Sequence, residues 1–224
     1  MNDQKDYYKQ IRPEVAKFIP ARIHTLLDVG CGEGAFLSFI KEKTGAETWG
    51  VEAVVSVASI AGTVVDHILA GKIEEVIHSL PDSYFDCITF NDVLEHLADP
   101  WIVLRNIRQK LSPGGVIIAS IPNFRYATNL FEIIVCKELR YKDAGILDVT
   151  HVRFFTKKSM RRMFEETGYV VVRQVGINKL NHWLVRLLNI LTLGLFNDTR
   201  ILQYVCVVRN TSFPENSSRA DHPS

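Results

Sequence analysis

The stretch LLDVGCGEGAFL, residues 26 to 37, limits the fold more than any other part of the chain. An apolar run ends in glycines at positions 30, 32 and 34 and passes directly into a helix-period segment. Such a turn places backbone N–H groups at a helix start, where they can cradle part of a nucleotide. Around it, β-branched apolar runs alternate with helix-period segments from Thr25 to Pro122, the pattern of βαβ units that build a parallel sheet. Strands are predicted at 25–30, 47–52, 66–70, 85–91 and 115–121. The first helix is predicted from Gly34 to about Lys43, with Phe36, Leu37 and Ile40 on one face and Gly45 as its stop. Another spans Pro100 to Leu111, with proline in its first turn and SPGG closing it.

The alternation lapses between Asn123 and Thr156, a segment rich in aromatic and charged residues. It resumes with a helix over 158–167 and strands at 169–176 and 201–210, which flank a second insertion near 177–200. Long insertions in compact domains are usually functional, so both are expected to form helical caps over the substrate side. Their apolar stretches, LFEIIV (130–135) and WLVRLLNILTLGLF (183–196), could line an apolar pocket, join two copies into a homodimer, or rest on a membrane surface. Burial within the cap is the commoner outcome. The second stretch is 14 residues with Arg186 inside it, short of the roughly 20 that cross a bilayer. The reading is therefore one α/β domain over 1–210, with residues 211–224 a polar tail expected to be disordered.

A net charge of +1 removes any broad attraction toward nucleic acid, and KKSMRR (157–162) reads as the polar face of a helix. The N-terminal residues are polar and lack the apolar core of a secretory signal. The four cysteines, Cys31, Cys87, Cys136 and Cys206, are far apart with no C-x-x-C pair, as expected of isolated reduced thiols in a cytoplasmic protein. No metal site is expected.

The glycine turn admits two ligands. Gly30, Gly32 and Ala35 satisfy G-x-G-x-x-A, and Glu52 follows 20 residues after Gly32, where a carboxylate can grip ribose hydroxyls of a dinucleotide. Against NAD stands Asp28, whose negative charge lies just where a pyrophosphate would need the positive end of a helix. S-adenosylmethionine carries a sulfonium and an ammonium and no phosphate, so it suffers no such penalty. In open parallel sheets ligands bind beyond the carboxyl ends of the strands, so Asp28, Glu52 and Asn91 should converge on one crevice.

These residues resemble the class I S-adenosylmethionine-dependent methyltransferases. LLDVGCGEGAFL looks like their first motif, and the likeness continues through WGVE, YFDCITFNDVLEHLADP and LSPGGVIIASIPN, in the family's order and spacing. A weaker similarity through DVTHVRFFTKKSMRRMFEETGY is shared with MetW-like and glycan-associated methyltransferases. The resemblance implies a Rossmann-like, doubly wound, seven-stranded sheet, mostly parallel with an antiparallel last strand. It implies that Asp28 and the turn of Gly30, Cys31, Gly32 and Gly34 surround the methionine part of the cofactor, while Glu52 accepts from both ribose hydroxyls. The adenine would lie near Gly71, Lys72 and Ile73, with Lys72 replacing the acidic residue common in relatives. Ala53 and Val54 would pack either on that ring or as an ordinary helix start. Asn91 and Asp92 end the fourth strand beside the cofactor, and Leu94 and Leu97 read as packing residues.

The sulfonium already activates its methyl group, so the protein mainly excludes water and aligns a nucleophile. A hydroxyl acceptor would benefit from a base, for which His96 and His151 are the candidates. The alternative is structural: His96 braces its turn, and His151 forms a clasp with Asp148 and Arg153. Asn123 and Tyr126 are placed to touch the acceptor. The function expected is methyl transfer to a small-molecule hydroxyl. The alternatives are a non-catalytic, cofactor-binding partner subunit and, last, an NAD-dependent oxidoreductase.

Overall fold

In the computed structural model, which describes residues 11–211, every residue of Thr25–Val29 (β1) is buried. A strand flanked on both edges and packed on both faces has no side to give to solvent, which is why TLLDV reads as continuous rather than alternating. Glu47–Glu52 (β2), His67–Ala70 (β3), Phe85–Asn91 (β4) and Leu111–Pro122 (β5) run parallel to it. Tyr169–Lys179 (β6) and Ile201–Asn210 (β7) complete a seven-stranded sheet of order β3-β2-β1-β4-β5-β7-β6, in which β7 is antiparallel to both neighbours. The predicted sheet is the observed one. β5 begins earlier than expected, because SPGG opens the strand through an irregular pairing with Phe85 instead of only ending the helix before it.

The helices are Pro13–Ala16 (α1), Ala35–Thr44 (α2), Val55–Ala61 (α3), Ile73–Val76 (α4), Pro100–Ile107 (α5), Ala127–Ile134 (α6), Lys157–Glu166 (α7) and Trp183–Leu191 (α8). Consecutive strand residues point to opposite faces, so the core is split in two. Leu27, Ile88, Phe90 and Ile117 pack with Leu104 and Ile107 of α5 and Met160 and Phe164 of α7. Leu26, Cys87, Val116 and Ile118 pack with Phe36, Leu37 and Ile40 of α2. α2 ends as expected at Gly45, in the left-handed conformation with its N–H on the Lys41 carbonyl. Of KKSMRR, Arg161 and Arg162 pair with Glu165 and Glu166 one turn on, which makes that stretch the polar face of α7.

The sheet's order reverses between β1 and β4: β2 and β3 follow on one side of β1, β4 and β5 on the other. A crevice at the carboxyl ends of β1 and β4 is the geometric consequence. The insertions correct one expectation. Phe131, Ile134 and Val135 of the first are 58–66% exposed, and Trp183, Leu184, Ile190 and Leu191 of α8 are 50–72% exposed. These side chains are not buried within the cap, because among the described residues no further layer covers α6 or α8. Among the described residues no helix is long and apolar enough to cross a membrane. The expected tail at 211–224 lies, apart from Thr211, outside the described residues.

Candidate active site

The turn after β1 is held by the strand beside it. The Gly30 and Cys31 N–H groups both donate to the Val51 carbonyl, at 2.7 and 3.1 Å, and the Gly34 N–H donates to the Cys31 carbonyl at 3.0 Å. Gly30 has φ +74°, and a Cβ there would stand 2.6 Å from Cγ2 of Val93. Gly34 has φ +84°, and its Cβ would stand 2.8 Å from Cγ2 of Val64. Glycine is required at both on two counts, conformation and space. The Cys31 thiol turns away from the crevice into the core, against Gly50, so Cys31 shapes the turn through its backbone.

Two acidic side chains flank this cradle. Asp28, at the end of β1, is 2% exposed, and its Oδ1 accepts from the Thr89 hydroxyl at 2.6 Å and the Asn91 amide at 3.1 Å. Burial pushes its carboxyl up to about 7, against the pull of those two hydrogen bonds and of Arg12. Glu52, at the end of β2, accepts from the Gly32 N–H at 3.0 Å and the Val54 N–H at 2.9 Å, one on each oxygen. Each oxygen retains a lone pair, so the carboxylate can brace the turn and still accept from a ligand. The Asn91 side-chain oxygen is buried with no partner, an acceptor at the same crevice. A buried carboxylate, an orphaned amide oxygen and a second carboxylate beside a glycine cradle fit a cationic cofactor bearing a diol.

Ala53 and Lys72 lie exposed on the rim, at the starts of α3 and α4, while Ile73 is 4% exposed with its side chain in the core. Leu94 and Leu97 are core residues as expected. Asp92 has φ +55° and is drawn into a polar knot. It pairs with the Arg12 guanidinium and accepts from Ser120 at 3.2 Å and Gln203 at 2.8 Å. Arg12 is itself 9% exposed and also donates to Glu14 at 2.7 Å. Sequence reading missed this knot, since residues from α1's approach, β4, β5 and β7 carry no local pattern that joins them.

The turn after β4 and the first insertion meet next to this knot. The Glu95 carbonyl accepts from the N–H groups of Val152 and Arg153, both at 3.0 Å, and the Arg153 guanidinium donates to the Ala98 carbonyl. The clasp imagined for His151 with Asp148 and Arg153 is thus made by the backbone and by Arg153, while Asp148 is engaged by Thr150. It brings His96 and His151 together, ring centroids 4.6 Å apart and nearly perpendicular. The Nδ1 of His96 lies 3.2 Å from the Thr150 carbonyl, and that of His151 lies 2.9 Å from the Ile146 carbonyl. A carbonyl only accepts, so both Nδ1 atoms carry protons, and in the neutral form of each ring the lone pair is on Nε2. Burial, with His151 adding to it, lowers His96 below the ordinary imidazole range. Glu95, next to His96 in the chain, is 1% exposed. Burial and the Asp92 charge push its carboxyl well above the usual range. No metal was expected from the sequence, yet one potential ligand atom from each of Glu95, His96 and His151 lies within 4.8 Å of the others.

Asn123 is fully buried and donates to the carbonyls of Asp198 and Ile201, a structural role. Tyr126 lines a cavity of about 190 Å³ with Asn129, Glu132, Lys142, Ile146 and Leu147, beside the carbonyl that holds His151.

A methyltransferase domain model matches residues 3–174. The chain belongs to that family. Its cofactor is S-adenosylmethionine, and the methyltransferase assignment leaves the dinucleotide reading of the glycine turn without support. The ubiquinone biosynthesis O-methyltransferase of Aliivibrio fischeri is 27% identical over 165 residues, covering 70% of this chain and 67% of that protein. Its counterpart from Aeromonas salmonicida is 31% identical over 160 residues, covering 68% and 66%. The chain thus spans about two thirds of the length of these relatives. A methyltransferase of Archaeoglobus fulgidus shares the fold at TM-score 0.63 and 20% identity, over 92% of this chain and 90% of its own. The 1,6-didemethyltoxoflavin N1-methyltransferase of Burkholderia thailandensis does so at TM-score 0.63 and 16% identity, over 94% and 83%.

Proposed function

We propose that this methyltransferase acts on a hydroxyl oxygen of a small molecule brought to the rim where the β4 turn meets the first insertion. The observation that carries the reading is the pairing of an acidic cofactor cradle with two imidazoles oriented by backbone carbonyls at the turn after β4. Asp28 and Asn91 would hold the charged methionine end of the cofactor, Glu52 its ribose hydroxyls, and Ala53 and Lys72 would border the adenine. The bound cofactor supplies an electrophilic methyl carbon on a sulfonium. The residues of this chain do the rest. The turn and the buried strand ends exclude water, and the insertion sets the acceptor in line with the methyl. The imidazole pair, with its Nε2 lone pairs unengaged by protein carbonyls, draws on the hydroxyl proton.

The relatives' name, ubiquinone biosynthesis O-methyltransferase, favours oxygen and a phenolic acceptor. The outward apolar faces of α6 and α8 give the cap a contact surface for a lipid layer or for a second copy of the chain. Vesicle flotation and light scattering distinguish the two. The reading is tested by incubating the protein with methyl-labelled S-adenosylmethionine and a panel of phenols, ortho-diphenols and sugars. A labelled methyl ether on one phenolic class is expected. Cofactor binding in calorimetry with no label in any acceptor would instead make this chain a partner subunit.

A further inference from the structure

Few arrangements are as unfavourable as a buried carboxylate without partners. Glu95 is 1% exposed and neither of its oxygens accepts a hydrogen bond. The Arg12 guanidinium, the cation whose charge is felt there, is committed to Asp92, Glu14, Ser120 and Gln203. What faces Glu95 is a pair of imidazoles. Each ring is oriented through Nδ1 by a backbone carbonyl, leaving Nε2 as the lone-pair nitrogen. That outer hydrogen bond is the one that fixes tautomer and angle in metal-ligating histidines.

We propose that Glu95, His96 and His151 bind a divalent transition-metal ion. The three potential ligand atoms already lie within 4.8 Å of one another. Ligands about 2.1 Å from a tetrahedral zinc stand about 3.4 Å apart, so small side-chain rotations close the site. It is assembled before any ion arrives, because the Val152 and Arg153 N–H groups strap the insertion to the Glu95 carbonyl. Two imidazoles and one carboxylate suit Zn²⁺, Mn²⁺ or Fe²⁺, whereas Mg²⁺ and Ca²⁺ prefer sites made of oxygen. Three protein ligands leave coordination positions open.

The use of those open positions rests on the methyl-transfer reading. An acceptor hydroxyl bound there loses its proton to water more readily, because the ion lowers its pKa. Its oxygen then forms a bond to the methyl carbon as the carbon–sulfur bond breaks. With the ion in place, the two histidines act on the acceptor through it. Two adjacent hydroxyls, as in an ortho-diphenol, would fill two positions at once.

The full chain, stripped with a chelator, is titrated with Zn²⁺ in a calorimeter and with Co²⁺ by visible absorption, with Mg²⁺ as contrast. One Zn²⁺ per chain and a tetrahedral or five-coordinate Co²⁺ spectrum are expected, with Mg²⁺ binding at least tenfold weaker. Glu95→Gln and His151→Gln should each weaken Zn²⁺ at least tenfold while still melting cooperatively and still binding S-adenosylhomocysteine. Should Glu95→Gln not fold, His151→Gln, on the insertion, decides. No uptake by the wild type, or uptake unchanged in the folded variants, overturns the proposal. A wild type that takes up the ion but not S-adenosylhomocysteine upholds the metal site and sinks the methyl-transfer reading.

Discussion

If Asp28 holds the cationic end of the cofactor as proposed, stability and cofactor binding should depend on pH in opposite directions. Burial raises its carboxyl from 3.8 to about 7. At about 1.4 kcal/mol per unit, roughly three units cost the unliganded fold about 4 kcal/mol once the group is ionised. Because the folded value lies above the unfolded one, this stability is fully present below about pH 4. It is lost as pH rises toward 7, and the loss is complete above that. Asp28→Asn cannot ionise but keeps an oxygen for the Thr89 hydroxyl and the Asn91 amide, which approach at 2.6 and 3.1 Å. Without ligand, the variant should therefore exceed the wild type in stability at pH 8 by up to about 4 kcal/mol, and lose that advantage by pH 4.

Binding runs the other way. The ionised carboxylate is what a cationic ligand end would require, so the affinity of the wild type for S-adenosylmethionine should fall, by up to tenfold per unit, as pH drops below 7. The variant should bind weakly at every pH. Urea unfolding of both proteins from pH 4.5 to 8 isolates Asp28, since every other titrating group is shared. Calorimetric titration of the cofactor over the same range gives the second half. Unfolding free energies that run parallel in the two proteins, or a wild-type affinity that ignores pH, would refute the argument.

Glu52→Ala removes a carboxylate that braces the turn and that the proposed reading gives to the ribose, so cofactor affinity in calorimetry should drop by about 2–4 kcal/mol; an unchanged dissociation constant would show the ribose to be held elsewhere. Gly34→Ala combines a φ of +84° with a Cβ 2.8 Å from Val64 and should cost about 1–3 kcal/mol in urea unfolding, a reasoning that an unshifted midpoint would overturn.

What could be read from the chain alone divides along a physical line. β1, α2 and the glycine turn were legible because their causes are local: β-branched runs, a 3.6-residue period, and glycines where φ is positive and a neighbour leaves no room for Cβ. The knot of Arg12, Asp92, Ser120 and Gln203 was not, since its members come from four parts of the chain and each alone reads as an ordinary polar residue. The apolar faces of α6 and α8 were visible as patterns, but pattern does not say whether a further layer covers them. Glu95 is the most telling case. In VLEHL it looks like the exposed member of a short amphipathic turn, because Leu94 and Leu97 point inward. It is instead buried and unpartnered, against every local expectation. Folds keep such conflicts where something other than stability is served. The conflict at Glu95 falls beside two oriented imidazoles on the carboxyl rim of the sheet, which is where the proposed reading puts the acceptor, and no local pattern in VLEHL could have shown it.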